Sequence, residues 1–229
     1  SIFEGQVTGI FGLIGSGRTE TAKIICGAFK RNLFHGGEVK FDGQSIRYRV
    51  PARAIRDGIV YVTEDRKLEG FFDTMSVSQN IYNGYLAGNG GRTTRVVNLR
   101  EMTEMAQDWS SRLQMKQLNT DAKVIELSGG NQQKVVIGKA LMTGPRVLLL
   151  DEPSRGIDVG AKAEIYRVMR ELSAQGLGIV FATSDIEEAI ALSDRIIVMA
   201  DGRITRTFDK TADVADVVAA ASPLKDSAA

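Results

Sequence analysis

The stretch from Leu127 to Gly160, LSGGNQQKVVIGKALMTGPRVLLLDEPSRGIDVG, constrains the fold more than any other part of the chain. It reads as a glycine turn opening a helix, then a buried strand ending in two carboxylates, then a Gly/Asp turn. Ser128 suits a helix N-cap, because its hydroxyl satisfies an amide that the first helical turn leaves unpaired. Gly129, Gly130 and Asn131 follow with little bulk, so the free amides of that helix start stand open to an anion. The run Val147-Leu148-Leu149-Leu150 is too apolar for a half-exposed strand. It predicts the interior of a parallel sheet covered on both faces. Asp151 and Glu152 emerge at the carboxyl end of that strand, the rim where open α/β sheets bind ligands. Two carboxylates there suit a Mg²⁺ ion and an activated water.

A second phosphate-binding element lies near the start. Gly12-Leu-Ile-Gly15-Ser16-Gly17-Arg18-Thr19 has the phosphate-loop spacing, with Arg18 where the pattern asks for Lys. Gly12, Gly15 and Gly17 let backbone amides approach phosphate oxygens, and the Thr19 hydroxyl can face Mg²⁺. Alone, this stretch reads equally well as an ordinary glycine-rich strand-to-helix turn. Beside the Asp151–Glu152 strand it reads as a nucleotide site. Arg18 keeps the charge of Lys but not its shape, since a guanidinium is a planar fork that needs more room. Diphosphate binding is expected to survive and γ-phosphate alignment to suffer. One misplaced transition-state donor costs roughly 10²–10³-fold in rate.

Composition excludes several function classes. The chain has 229 residues, enough for one α/β domain with a sizeable core. No apolar run reaches membrane-spanning length, and no signal peptide is read at the start. Lys and Arg total 29 against 28 acids, a net charge of +1, which gives no electrostatic reason to expect a nucleic acid partner. The single Cys26 lies in an apolar run, reads as buried and fits a reducing compartment. His35 is the only histidine and reads as a surface loop residue outside any cluster.

The remaining pattern is α/β. Gly5–Gly12 reads as a strand and Thr19–Ala28 as a helix. Gly37–Gly43 reads as a short edge strand ending in an Asp-Gly turn. Pro51 starts a helix that ends at Gly58, Ile59–Val62 is a buried strand, and Glu64–Gly70 a charged loop. From Ser76 to about Leu118 the pattern is helical, with Asn98–Glu101 close to a capping box. Met102, Met105, Ala106, Trp109 and Leu113 recur at helical spacing, as for packing in a small helical subdomain. Gly88–Gly91 reads as a flexible element inside it. A helix from Gly160 to Ser173, a strand at Gly176–Thr183, and a helix at Asp185–Leu192 follow. Strands at Arg195–Ala200 and Arg203–Phe208 meet at Asp201-Gly202, before an Ala-rich helix, Ala212–Ala221.

These motifs together resemble the nucleotide-binding domain of ATP-binding cassette (ABC) transporters. LSGGNQQK resembles the ABC signature, LLLDE the Walker B strand, and Ser154–Asp158 the D-loop. GLIGSGRTE, the EDRK of Glu64–Lys67, and SRGIDVGAK resemble more narrowly the C-terminal cassette of bacterial monosaccharide importers of the ribose, galactose, arabinose and xylose type. The resemblance runs from about Gly5 to Ile204. It implies a single cassette over residues 1–229. Within it, 1–75 and 140–210 form a RecA-like core with an edge antiparallel β element. Residues 76–139 form a helical subdomain carrying the signature, and 211–229 a tail.

The resemblance also assigns the site. ATP is bound by Gly12, Gly15, Ser16, Gly17, Arg18, Thr19 and Glu20, with Mg²⁺ on Thr19 and Asp151. Glu152 orients or deprotonates water. Two positions depart from the family. Ser184 stands where the switch residue is usually His, and Glu64 where a Gln usually meets the metal and attacking water. The chain also starts too late for the upstream strand whose aromatic residue usually stacks on adenine, as if cut from a longer polypeptide. The pocket built from this chain's own motifs is therefore expected to be weak. Ser128, Gly129, Gly130 and Asp158 are expected to complete the nucleotide site of a second cassette packed head to tail. For Asp158, simple turn capping is the competing reading. The implied partners are that second cassette, transmembrane permease subunits and, indirectly, a periplasmic sugar-binding protein. The implied location is the cytoplasmic face of the inner membrane. The rival readings are a nucleotide-gated module that never hydrolyses ATP, and a soluble ABC ATPase of DNA repair or translation.

Overall fold

The computed structural model describes residues 1–30, 37–88, 97–113, 115 and 119–222. In chain order they form β1 (Val7–Phe11), α1 (Arg18–Ile25), β2 (Val39–Phe41), β3 (Gln44–Ile46), α2 (Pro51–Arg56) and β4 (Ile59–Val62). Next come α3 (Val77–Gly88), α4 (Leu99–Arg112), α5 (Gly129–Leu141), β5 (Val147–Asp151) and α6 (Val159–Ala174). The chain continues through β6 (Gly178–Thr183), α7 (Ile186–Leu192), β7 (Arg195–Ala200), β8 (Arg203–Asp209) and α8 (Val214–Ala221).

Among the described residues, six strands form one sheet in the order β4-β5-β6-β1-β7-β8. All neighbours pair in parallel except β7 and β8. The strands β1, β5 and β6 are interior, and β1 and β6 are buried along their whole length. That burial explains why VTGIF and GIVFAT do not alternate, since both faces of a parallel sheet are covered by helices. The apolar run at Val147 behaves the same way, with Leu148, Leu149 and Leu150 all buried in β5. The expected Asp-Gly turn at Asp42-Gly43 has both residues at positive φ and joins β2 to β3 in a separate antiparallel pair.

The helix α5 is buried along most of its length, with Gly129 and Asn131 at its amino end and Lys139 near its carboxyl end partly exposed. It packs with α3, and α3 with α4. Ile81, Leu113, Val135 and Ile137 from this helical layer share one core cluster with Leu148 and Phe181 of the sheet. The stripe on α4 is partly as expected: Ala106 and Leu113 are buried, and Trp109 packs against the same core. Asn98 caps α4, accepting from the amides of Arg100 and Glu101. None of the described helices is long and apolar enough to cross a membrane.

The segment read as a charged loop differs. Arg66–Gly70 is a π-helical turn, capped by Asp65, whose carboxylate accepts from the amides of Lys67 and Leu68. A five-residue charged stretch carries no periodicity that would reveal such a turn. Gly88 closes α3, whereas the rest of Gly88–Gly91, and His35, lie outside the described residues. Cys26 is buried, and that burial pushes its thiol pKa up.

Candidate active site

Parallel pairing sets the carboxyl ends of β5, β6 and β1 side by side, with Asp151 opposite Ala182 and Phe11 opposite Thr183. A cleft of about 520 Å³ lies over these ends. The loop leaving β1 supplies Gly15, Ser16 and Gly17 to its lining, and the start of α1 supplies Arg18, Thr19 and Glu20. Glu64, Glu152 and Ser184 line it as well. Gly15 and Gly17 adopt φ of 84° and 91°, a region that a side chain would disfavour. The β7–β8 turn supports this loop. The Gly202 amide donates to the Ser16 carbonyl at 3.0 Å, and a Cβ on Gly17 would lie 3.1 Å from Gly202 Cα. Gly12 does not line the cleft. A Cβ there would fall 2.4 Å from the Met199 carbonyl oxygen, so its smallness seats the loop on β7.

Arg18 is buried and points across the cleft. Its Nη1 donates to Glu152 Oε1 at 3.0 Å, and its Nε donates to Ser16 Oγ at 3.1 Å. The pair is well enclosed, with side-chain exposures of 7% and 13%, so water screens it little. The same Glu152 oxygen accepts the Ser184 backbone N–H at 2.9 Å. Ser184 thus engages Glu152 through its backbone amide, which no residue identity could disclose. Glu152 itself sits at φ 44°, a left-handed conformation costly for a non-glycine residue and concentrated at functional sites.

Beneath the cleft, Asp151 is buried and doubly hydrogen-bonded. Thr19 Oγ1 donates to its Oδ1 at 3.1 Å, and Tyr61 Oη to its Oδ2 at 2.8 Å. Burial raises the Asp151 pKa, and the two hydroxyls oppose that rise. Burial, reinforced by the Asp151 carboxylate, raises the Tyr61 pKa well above the usual phenol value. Tyr61 was missed in the sequence. Its signal is modest: the one polar tip within Ile59-Val-Tyr-Val62.

Glu64 is neutralised where it stands, in an ion pair with the Arg155 guanidinium. The charge repulsion that a carboxylate beside phosphate would create is thereby offset. Arg155 and Lys162 both line the cleft and add cations to it. Lys162 Nζ lies 3.4 Å from Asp185 Oδ2. Both follow the carboxylate strand closely in sequence, but nothing in their spacing announces the direction of their side chains.

The glycine-headed helix forms a different part of the surface. Ser128 caps α5, its hydroxyl accepting from the Asn131 amide at 3.4 Å. Gly130 is packed so closely against α6 that an added Cβ would lie 2.5 Å from the Ala161 Cβ. Asp158 caps α6, accepting the Ala161 amide at 2.9 Å. Turn capping is therefore one real role of Asp158. Ser128, Gly129, Gly130 and Asp158 lie outside the cleft lining, whereas Gly15, Ser16, Gly17, Arg18, Thr19, Glu20, Glu64, Glu152 and Ser184 share it.

Comparison with known proteins places this arrangement. Residues 1–155 match the family model for the ABC transporter. The chain is 43% identical over 213 residues to a xylose import ATP-binding protein of Geobacillus kaustophilus, covering 92% of this chain and 41% of that protein. It is 46% identical over 201 residues to a ribose import ATP-binding protein of Rhizobium etli, covering 88% of this chain and 39% of that protein. The chain thus spans about two fifths of the length of the curated relatives it matches. A nucleotide-free ATP-binding cassette from an ABC transporter superposes with a TM-score of 0.81 at 28% identity, covering 96% of this chain and 86% of that one. An ATP-binding cassette in its ADP conformation gives 0.78 at 28% identity, covering 95% and 85%.

Proposed function

This chain belongs to the ABC transporter family, and from that premise we propose that it binds and hydrolyses ATP to power monosaccharide uptake, as one half of a head-to-tail cassette pair. The observation that carries the reading is the cleft over β1, β5 and β6, where a glycine loop, the Thr19–Asp151 pair and Glu152 converge. The names of relatives that import xylose and ribose support the substrate class.

In this reading the amides of Gly15 to Thr19 hold the phosphates. Thr19 Oγ1 and Asp151 Oδ1 fit Mg²⁺: both are hard oxygen donors, and they lie 3.1 Å apart. Adjacent oxygen ligands of an octahedral Mg²⁺ lie about 2.9 Å apart. When bound, the ion would spread charge that develops on the transferred phosphoryl group. Glu152 accepts the proton of the attacking water, and the Ser184 amide orients it. That carboxylate is engaged by Arg18, so the ion pair must open before Glu152 can act as a base. Turnover at this chain's own cleft is therefore slow.

The signature end works in trans. Ser128, Gly129, Gly130 and Asp158 meet the triphosphate held by the second cassette, using the amino end of α5. Residues 76–139 serve as the helical subdomain between 1–75 and 140–210, with 211–229 as a tail. The permease subunits dock where Leu68, Phe72 and Met75 expose apolar surface beside the π-helical turn. The pair works at the cytoplasmic face of the inner membrane, and the sugar-binding protein acts through the permease from the other side.

The test is ATP-driven uptake of labelled ribose or xylose into membrane vesicles carrying the permease and a two-cassette polypeptide with this chain as its C-terminal half. Gly129→Asp should abolish uptake. Uptake at the parental rate would overturn the reading.

A further inference from the structure

The EDRK segment does more than border the cleft. Arg66 leaves the π-helical turn and reaches the turn that follows Glu152. Its Nη1 donates to the Arg155 carbonyl at 2.7 Å and its Nη2 to the Gly156 carbonyl at 3.2 Å. Its Nε faces Gln132 Oε1 at 3.5 Å. Gln132 is itself buried in the first turn of α5, and its amide nitrogen donates to the carbonyl of Leu127 at 3.1 Å. One guanidinium thus ties its own turn to two other segments, the Arg155–Gly156 carbonyls and the head of α5.

Two further features fit this contact. Gly156 has φ 65°, so the chain departs from extended alternation and turns two successive carbonyls toward one side chain. A Cβ on Gly129 would lie 2.9 Å from Arg66 Nη2 and 3.2 Å from the Gly156 carbonyl oxygen. Glycine at position 129 therefore leaves room for the guanidinium, quite apart from any approach to phosphate. The contact is also reciprocal: Arg155, whose carbonyl Arg66 holds, returns its own guanidinium to Glu64.

We propose that Arg66 is a positioning residue for the shared nucleotide site, holding the Ser154–Asp158 turn and the head of α5 in one fixed arrangement. This rests on the composite-site reading above, in which both segments meet the other cassette's triphosphate. A planar fork is required because two carbonyl oxygens are bridged at once; a Lys ammonium keeps the charge but lacks the paired, fixed donors. Such a group acts on alignment in the transition state rather than on substrate binding, so its loss lowers kcat and leaves KM in place.

Arg66→Lys and Arg66→Ala are the variants. In the two-cassette polypeptide, both should keep KM for ATP within twofold and lower kcat at least fivefold, and millimolar guanidinium should partly restore the Ala variant. In the isolated 229-residue chain, both should speed amide hydrogen exchange at residues 154–158. A kcat loss smaller than fivefold in Arg66→Lys overturns the proposal, as does unchanged exchange at those amides. Gly129→Asp serves as the control. If it leaves turnover intact, the composite-site reading fails, while the exchange measurement still decides whether Arg66 holds the turn.

Discussion

Arg18 decides how the cleft behaves at the scale of single residues. Its guanidinium holds the Glu152 carboxylate at 3.0 Å in an enclosed pair, whereas a Lys ammonium would keep the charge without spanning Ser16 and Glu152 together. Arg18→Lys should therefore free Glu152 and raise ATP turnover by the isolated chain by up to about 10²-fold, the lower end of a typical general-base contribution. Steady-state phosphate release measures this, and an unchanged rate would remove the ion pair from the account. Glu188 makes a separate prediction. It is buried on α7, accepts from the Thr183 hydroxyl, and has the Ser154 and Tyr166 hydroxyls nearby. Burial raises its pKa above 4.5 despite those partners. The folded chain then holds this proton to higher pH than the unfolded chain. Stability from this group is full below about 4.5, falls as pH rises toward the raised value, and stays lost at neutral pH. Glu188→Gln should accordingly melt higher than the parent at pH 7, where the parent must keep a buried carboxylate charged. The gain should vanish at pH 4. Thermal melts at the two pH values check both the sign and the window.

At the scale of elements, helix starts are where local chemistry and function overlap. Asp158 caps α6 and is also expected to cross to a second cassette. Asp158→Ala should cost about 1 kcal/mol of folding stability by removing the cap, while Asp158→Asn keeps the cap and should cost a few tenths. Denaturant melts of the isolated chain separate them. If Asn also lowers turnover in the two-cassette polypeptide, the charge acts beyond capping. Elements of this kind were largely legible in the sequence. The Ser128 cap, the Pro51 start, the Asn98 cap and the apolar run of β5 each carry a local signal, and each forms as read. The turn at Arg66–Gly70 was not legible, because its shape depends on Asp65 capping and on contacts across the sequence to Arg155 and Gly156.

The whole molecule shows the same division. Fold class and part of the cleft lining, Gly15 to Glu20 with Glu64, Glu152 and Ser184, follow from motifs whose spacing is fixed by backbone geometry, whereas Arg155, Lys162 and Asp185 in the same lining do not. What those residues do to one another does not. Arg18 and Glu152 are 134 positions apart in sequence, and Thr19 and Asp151 are 132 apart. Only the strand order β5-β6-β1 brings them together. The head of α5 lies outside the cleft lining. On the proposed reading the molecule has two separable contributions to make, a cleft of its own and a glycine-headed helix for a neighbour. The most direct test of that separation is steady-state ATP hydrolysis by the two-cassette polypeptide, with Gly129→Asp and Arg18→Ala measured side by side. The account predicts that Gly129→Asp abolishes turnover and Arg18→Ala only reduces it; greater damage from Arg18→Ala would contradict it.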